Sequence, residues 1–513
     1  MSHLHKNLKF WLLSLVLVTA VSSCTDDFDQ INTNPNTVLR DRIDENLLFT
    51  RSLVYGALRY TEFQRAQQLY ANHYIQYYAM SVDYFETGRY ITRNDWLTDY
   101  WTAVYSDYAM QCQQVIDITR ESENKSNKTA MARIWKVFLM HRVTDFWGDV
   151  PYFNALQGDL TPEYDRQEDI YDDMLNELKE AVAQFDPSKT LSYSSADVIY
   201  QSDIDSWIRF ANSLRLRLAM RISDVDPAKA EQHAREVIED GRLIDSNNAS
   251  AIMPYGRDFG GAVENLQPMG VIRSFNEYRA SNTLVDFLQS NNDPRLPLYI
   301  EPVEGEYIGL QNGLNPEEIN ALNLDQFSKD SQIISSTHAP SVLFSYSEVQ
   351  FLLAEASLKG WHDGDAQLHY EEGIVASINF WIGVYNDLLN RLPDSEASAL
   401  PNIDITAEDI ANYTAEPGIV FDPNNALEQI ITQKWLANIN QGFESYAEYR
   451  RTGFPVLNPI PNTDGLSETG GSEVPVRIKY PAEEQTLNRE NYQAAVAGQG
   501  PDLPTTRMWW DVQ

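Results

Sequence analysis

Cysteine is nearly missing from this chain. Only Cys24 and Cys112 occur in 513 residues, so no disulfide framework can hold the fold together. Bases are scarce too: 39 Lys and Arg stand against 74 Asp and Glu, and no block of five or more bases occurs. A net charge of −35 repels phosphate backbones and argues against nucleic acid as a partner. No Gly/Ser or Pro linker divides the middle of the chain, although the length alone would allow about three domains. The apolar run at residues 10–21 is only 12 long, short of the roughly 20 residues a membrane-spanning helix needs.

Local catalytic signatures are absent as well. The sequence has no HExxH, no GxSxG, no GxxxxGK[ST] and no CxxC. Its eight histidines show no two-His metal spacing on a helix. His362 and His369 lie seven apart and read as unconnected surface residues. NTDG at 462–465 and DGD at 363–365 are like fragments of calcium loops, without the full set of oxygen ligands or the terminal glutamate. The many acids leave a glycosidase pair open, because two carboxylates meet only in space, but no local motif singles one out. No catalytic residue, metal or cofactor is expected, and a surface glycan hydrolase stays as a rival reading.

What is present begins with an address. Lys6 and Lys9 precede the apolar run, and the small residues Ser22 and Ser23 precede Cys24. A basic region, a short apolar stretch and small residues make a secretory signal, and a cleavage site ending on cysteine resembles a bacterial lipobox. The expectation is removal of residues 1–23 and lipid on Cys24, with Asp26, Asp27 and Asp29 directly behind it. Cys112 falls in a helical stripe with Leu97, Trp101, Val104, Tyr105, Tyr108 and Val115 and reads as a buried hydrophobe.

After residue 40 helical periodicity dominates, so the expected fold is mostly α. Helices are expected at 64–80, at 94–119 with Asn94 as N-cap, and at 129–145, 168–185 and 203–222. A short helix should open at Pro227 and close at Gly241. Further helices fall at 346–359, 363–386 and 425–440, with Tyr449 as an alternative end of the last. Residues 346–380 form a helix-turn-helix unit of near 34-residue, tetratricopeptide length, with Gly373 and Ala376 where the helices would cross, and residues 203–240 make a second pair. Such a helical-repeat scaffold binds through surfaces and loops. Irregular excursions are expected at about 246–340, 391–423 and 454–513, within one domain from residue 24 onward.

Aromatics are plentiful. Residues 55–108 hold 15 in 54 positions, against 12% for the chain. Most sit at helical spacing and read as core. Tyr84, Phe85 and Tyr90 sit between helices in SVDYFETGRYITRND, and Trp96 lies off the main apolar stripe of the next helix. Loop rings beside Asp83, Glu86, Arg89 and Asn94 suit stacking on sugar faces, with polar neighbours fixing hydroxyls. The alternative is a loop folded down with its rings buried. A second candidate joins MPYGRDFGG (253–261), with Phe259, to SFNEYRAS (274–281), with Phe275, Tyr278 and Arg279.

Several stretches, in this order, resemble the SusD/RagB family of Bacteroidetes outer-membrane lipoproteins, in its SusD-like subgroup. They are CTDDFDQINTNPN (24–36), DFWGDVPYFNAL (145–156), WIRFANSLRLRLAMRIS (207–223), NDPRLPLY (292–299), SYSEVQFLLAEASLKGW (345–361), QKWLANINQGFESYAEYRRTGFP (433–455) and TTRMWWD (505–511). The resemblance implies a surface lipoprotein with a tetratricopeptide-like half and a loop-rich half. It implies a lid on a SusC-like, TonB-dependent barrel that delivers glycans, or in some members peptides, without catalysis. It also implies that the acids after Cys24 act as a surface-export signal. It assigns no ligand-contacting residue, so Tyr84, Phe85, Tyr90, Trp96, Phe275, Tyr278 and Arg279 rest on their own residue chemistry.

Overall fold

The computed structural model describes residues 43–57, 59–255, 266–467 and 473–513. The chain divides into a unit of residues 1–45 and a unit of residues 46–513, and the architecture below is that of the second. Cys24, Asp26, Asp27, Asp29 and Phe259 lie outside the described residues.

Among the described residues the fold is built from helices, with three two-stranded antiparallel sheets. Local signals set many helix ends. Asp203 caps Ile204–Arg221 by accepting the Ser206 N–H at 2.8 Å. Asp226 caps Pro227–Asp240, with Pro227 in the first turn, and Gly241 ends it at φ 71°, a conformation glycine adopts without a Cβ clash. Ser345 caps Tyr346–Leu358 and Asp365 caps Ala366–Arg391. These two antiparallel helices form the expected hairpin. Their close approach depends on Gly373: a Cβ there would lie 2.7 Å from the buried Phe351 ring. Ser126–Trp147 is buried on nearly every side, so it is a central helix with neighbours all round.

Several expected boundaries change. Residues 64–80 are not one helix. A π-helical stretch Phe63–Ala71 runs into Asn72–Tyr74, Gln76 turns left-handed at φ 55°, and the chain leaves as β1, Tyr78–Met80. The sequence puts Leu69, His73, Gln76 and Met80 on one side and Tyr70, Tyr74, Tyr77 and Tyr78 on the other, yet all eight are buried. The segment is enclosed from both sides, and long-range bonds outweigh its helical pattern. The Tyr77 hydroxyl meets Trp435 O at 2.5 Å and Ser445 Oγ at 2.8 Å. Asn94 is the first helical residue of Asn94–Ala103 rather than its cap, a position that falls to Arg93. The last strong helix is two, Ala426–Ala437 and Gly442–Thr452, separated at Asn440, φ 65°.

The loop-rich stretches also hold order. Within 246–340 lie Asn282–Ser290 and strands β2 (Ala251–Met253), β3 (Tyr278–Ala280), β4 (Ile300–Glu301) and β5 (Lys329–Asp330). β6 (Ser341–Phe344) pairs with β2, β5 with β4, and β3 with β1. The 391–423 stretch contains Ala407–Thr414, opened by a capping box of Thr406 and Asp409, and the tail contains Arg489–Gln499. Cys112 is buried as expected, with Sγ 3.1 Å from Ser52 Oγ. Burial pushes its thiol up to about 12, so it stays unionised and unreactive at neutral pH.

A buried ion network ties four helices together. Arg217 pairs with Glu348 at 2.7 Å, and Arg221 with Glu444 at 2.8 Å and Glu448 at 2.5 Å. Lys434 reaches Glu444 at 3.2 Å and Glu448 at 3.3 Å, while Arg451 joins Glu448 and Glu355 at 2.7 Å. Burial alone would raise the Glu444 carboxyl, but Arg221, Arg217 and Lys434 outweigh it and hold the group down at about 2. Arg217, Arg221, Glu348 and Lys434 sit at helical positions that an apolar-periodicity reading leaves out.

Candidate ligand-binding site

The pairing of β1 with β3 creates the candidate site. Tyr78 faces Ala280, Ala79 faces Arg279 and Met80 faces Tyr278. The Ser81 N–H then bonds Glu277 O at 3.0 Å. Two segments nearly 200 residues apart in sequence thereby leave the ladder side by side: the 81–96 loop and the 274–277 turn. The 81–96 loop and the SFNEYRAS part of the second candidate region therefore adjoin.

In these adjoining segments Tyr84 is 54% exposed and Phe275 is 44% exposed. The Tyr84 hydroxyl donates to Glu277 Oε1 at 2.7 Å, and Gln64 Nε2 donates to Glu277 Oε2 at 3.0 Å. Behind Tyr84 the rings pack edge to face. Tyr84 and Phe85 have centroids 4.8 Å apart at 69°, and Phe85 and Trp96 have theirs 5.4 Å apart at 86°. This geometry sets the positive edge of one ring against the negative face of the next. The Arg93 guanidinium covers Trp96 at 4.6 Å and is itself drawn to Asp95 at 3.3 Å and Glu86 at 3.8 Å. Tyr84 and Phe275 are therefore the exposed rings, while half-buried Phe85 and Trp96 support Tyr84 from behind. Burial, then the Glu277 carboxylate, pushes the Tyr84 phenol up to about 12, so it remains a hydrogen-bond donor at any physiological pH.

Three of the expected residues face inward. Tyr90 is 4% exposed, left-handed at φ 65° and edge-on to Tyr74 at 5.2 Å. Its loop is pinned from outside: Arg89 Nε bonds Asp464 Oδ2 at 2.7 Å, and Gly465 packs so closely that a Cβ there would fall 1.9 Å from Tyr90 O. The NTDG stretch thus anchors this turn. Tyr278 is buried, with its hydroxyl on Asp330 Oδ2 at 2.9 Å. Arg279 is 1% exposed and donates to Leu324 O at 3.0 Å and Tyr278 O at 2.8 Å. As strand residues, Tyr278 and Arg279 build the ladder beneath the face and cannot meet a ligand on it.

Sequence reasoning missed Gln64 and Glu277, the polar pair that fixes Tyr84. Glu277 stands inside SFNEYRAS, but its role depends on the β1–β3 register, which no local pattern encodes. A cavity of about 220 Å³ lies elsewhere, between Asp149, Arg166, Gln499, Arg507 and Trp509. Among the described residues no group of three or more His, Cys, Asp or Glu side chains is placed to hold a metal ion, and no helix is long and apolar enough to cross a membrane.

Comparison with known proteins places this architecture. Residues 40–481 match a family model, SusD-like_2, described as starch-binding and associating with the outer membrane. Among solved structures, a chitin-binding protein is 31% identical, with 92% of this chain and 100% of that one covered and a TM-score of 0.80. A SusD homolog from Bacteroides uniformis is 29% identical over 92% of this chain and 100% of its own, with a TM-score of 0.78. A chitin-binding SusD homolog from Flavobacterium johnsoniae is 26% identical over 91% and 98%, with a TM-score of 0.76. No curated protein matches the chain.

Proposed function

The chain belongs to the SusD-like family of starch-binding proteins associated with the outer membrane, and on that premise we propose that it is a cell-surface glycan-binding lipoprotein. It is held by lipid on Cys24, captures oligosaccharide on the face of Tyr84 and Phe275, and passes it to a SusC-like, TonB-dependent outer-membrane transporter. It binds its ligand and does not cleave it.

The observation that carries this reading is the exposed Tyr84 ring with its fixed polar rim, beside a turn that exposes Phe275. A sugar presents an apolar C–H face and a rim of hydroxyls. Ring faces take the first, and Glu277 and Gln64 beside Tyr84 take the second. Solvent-exposed rings also suit a chain-like ligand that extends past them, where an enclosed cavity would admit only a short one. Two of the similar structures are of chitin-binding proteins and the family description names starch, so chitin and starch oligosaccharides are the first ligands to try.

A glycan array with the soluble chain tests the ligand class. Binding of an oligosaccharide that Tyr84→Ala weakens supports the reading. Binding of peptides in place of glycans, or turnover of any bound oligosaccharide, overturns it. Affinity purification from membranes tests the partner: a large outer-membrane barrel should co-purify, and its absence from a gently solubilised preparation counts against delivery. Cys24→Ala should release the protein from the membrane fraction.

A further inference from the structure

His362 and His369 are brought together by the fold, contrary to their reading as unconnected surface residues. His362 stands in the turn between Tyr346–Leu358 and Ala366–Arg391, and His369 lies in the first turns of the second helix. Their Nε2 atoms are 3.0 Å apart, with ring centroids at 5.0 Å. His369 Nδ1 lies 2.7 Å from Gln350 Oε1, on the first helix of the hairpin. An amide oxygen only accepts, so Nδ1 carries the proton and His369 Nε2 turns its lone pair toward His362. A histidine fixed through one nitrogen by a neighbouring oxygen, with the other nitrogen free to donate electrons, is the arrangement that orients metal ligands.

The distance fits the same chemistry. Two imidazole nitrogens, each about 2.0–2.1 Å from one ion, stand about 2.9–3.4 Å apart when the angle at the ion is about 90–110°. Gly364 keeps side chains away from the pair: a Cβ there would fall 2.3 Å from His362 Nε2 and 2.7 Å from His369 Nε2. The exposed carboxylates Asp363 and Asp365 flank the pair and favour a cation over an anion.

We propose that His362 and His369 form a two-imidazole chelate for a divalent d-block cation such as Zn²⁺. No third His, Cys, Asp or Glu completes the set among the described residues, so water fills the remaining positions and the ion is exchangeable. A bound ion would join the turn to the second helix of the hairpin, and through Gln350 to the first.

The test is calorimetric titration of Zn²⁺ into the full chain purified without a histidine tag, paired with melting curves. The expected result is a site lost, or weakened at least tenfold, in both His362→Ala and His369→Ala, with a zinc-induced rise in melting temperature absent from both. Gly364→Ala keeps both imidazoles and should also weaken binding, because its methyl group intrudes on the pair. Unchanged Zn²⁺ affinity in the histidine variants, or no binding by the parent at millimolar Zn²⁺, overturns the proposal in favour of a plain imidazole–imidazole hydrogen bond. Should His369→Ala fail to fold, His362→Ala, in the turn outside the helix, decides the outcome.

Discussion

The Tyr84 hydroxyl donates a 2.7 Å hydrogen bond to Glu277, 193 residues further along the chain. That bond joins the loop after β1 to the turn before β3 and holds the exposed ring in place. It lies at the surface, so its value is in orientation more than in stability.

Removing either exposed ring should therefore weaken ligand and leave the fold intact. Tyr84→Ala and Phe275→Ala are each expected to cost about 1 kcal/mol of binding, roughly fivefold in Kd. Trp96→Ala should act indirectly, by releasing Phe85 and Tyr84. Glycan titrations with circular dichroism as a folding control check this; unchanged affinity in all three variants moves the site elsewhere.

In the core, Glu444→Gln should be far more damaging to stability. Glu444 accepts from Arg221 at 2.8 Å and Lys434 at 3.2 Å, and all three side chains are buried. Deleting that charge leaves Arg221 and Lys434 to share Glu448 as their nearest carboxylate, with one positive charge of the buried network uncompensated. A loss of about 3–5 kcal/mol is expected, read as a lower denaturant midpoint. A midpoint equal to the parent's would show that the cations are solvated by another route.

Acid should attack the same network. The Glu444 carboxyl sits at about 2 in the fold against an ordinary value of 4.5, and the Glu448 carboxyl is likewise depressed, with Arg451, Lys434 and Arg221 prevailing over the effect of burial. The folded state thus binds these protons less readily than the unfolded chain. Their contribution is complete above pH 4.5 and is lost as pH falls from there toward 2. Melting temperature should decline over that window, and less steeply in Glu444→Gln than in the parent. Parallel declines would remove Glu444 as a source.

Gly373→Val should loosen the hairpin of Tyr346–Leu358 and Ala366–Arg391. The first added carbon already meets Phe351 at 2.7 Å, and the Phe351 ring is fully buried. Overpacking of this kind costs about 1–3 kcal/mol, and the β-branched side chain gives back only part of glycine's poor helix propensity. A lowered melting temperature is expected; an unchanged one would mean that the helices separate without penalty.

Much of the scaffold was legible in the sequence because its signals are local. Pro227 and Gly241 mark their helix ends as expected, and Gly373 falls at a helix crossing. Periodicity fails where polar residues are buried on a helix, since Arg217, Arg221 and Glu348 look like solvent-facing positions until their partners are seen. It fails again over residues 64–80, where a segment enclosed on both sides has no solvent face to impose a 3.6-residue period. The candidate site was half legible: loop aromatics could be found, but inward Tyr90 and outward Tyr84 share one short loop and one residue type.

The sequence by itself determines the helical class, the family resemblance and the expected address at Cys24, because composition, spacing and capping act over a few residues. Only the tertiary structure decides which rings reach solvent, that residues 81–96 and 274–277 adjoin, and that His362 meets His369. Those relationships depend on strand register and helix crossing, which are set by packing between distant segments.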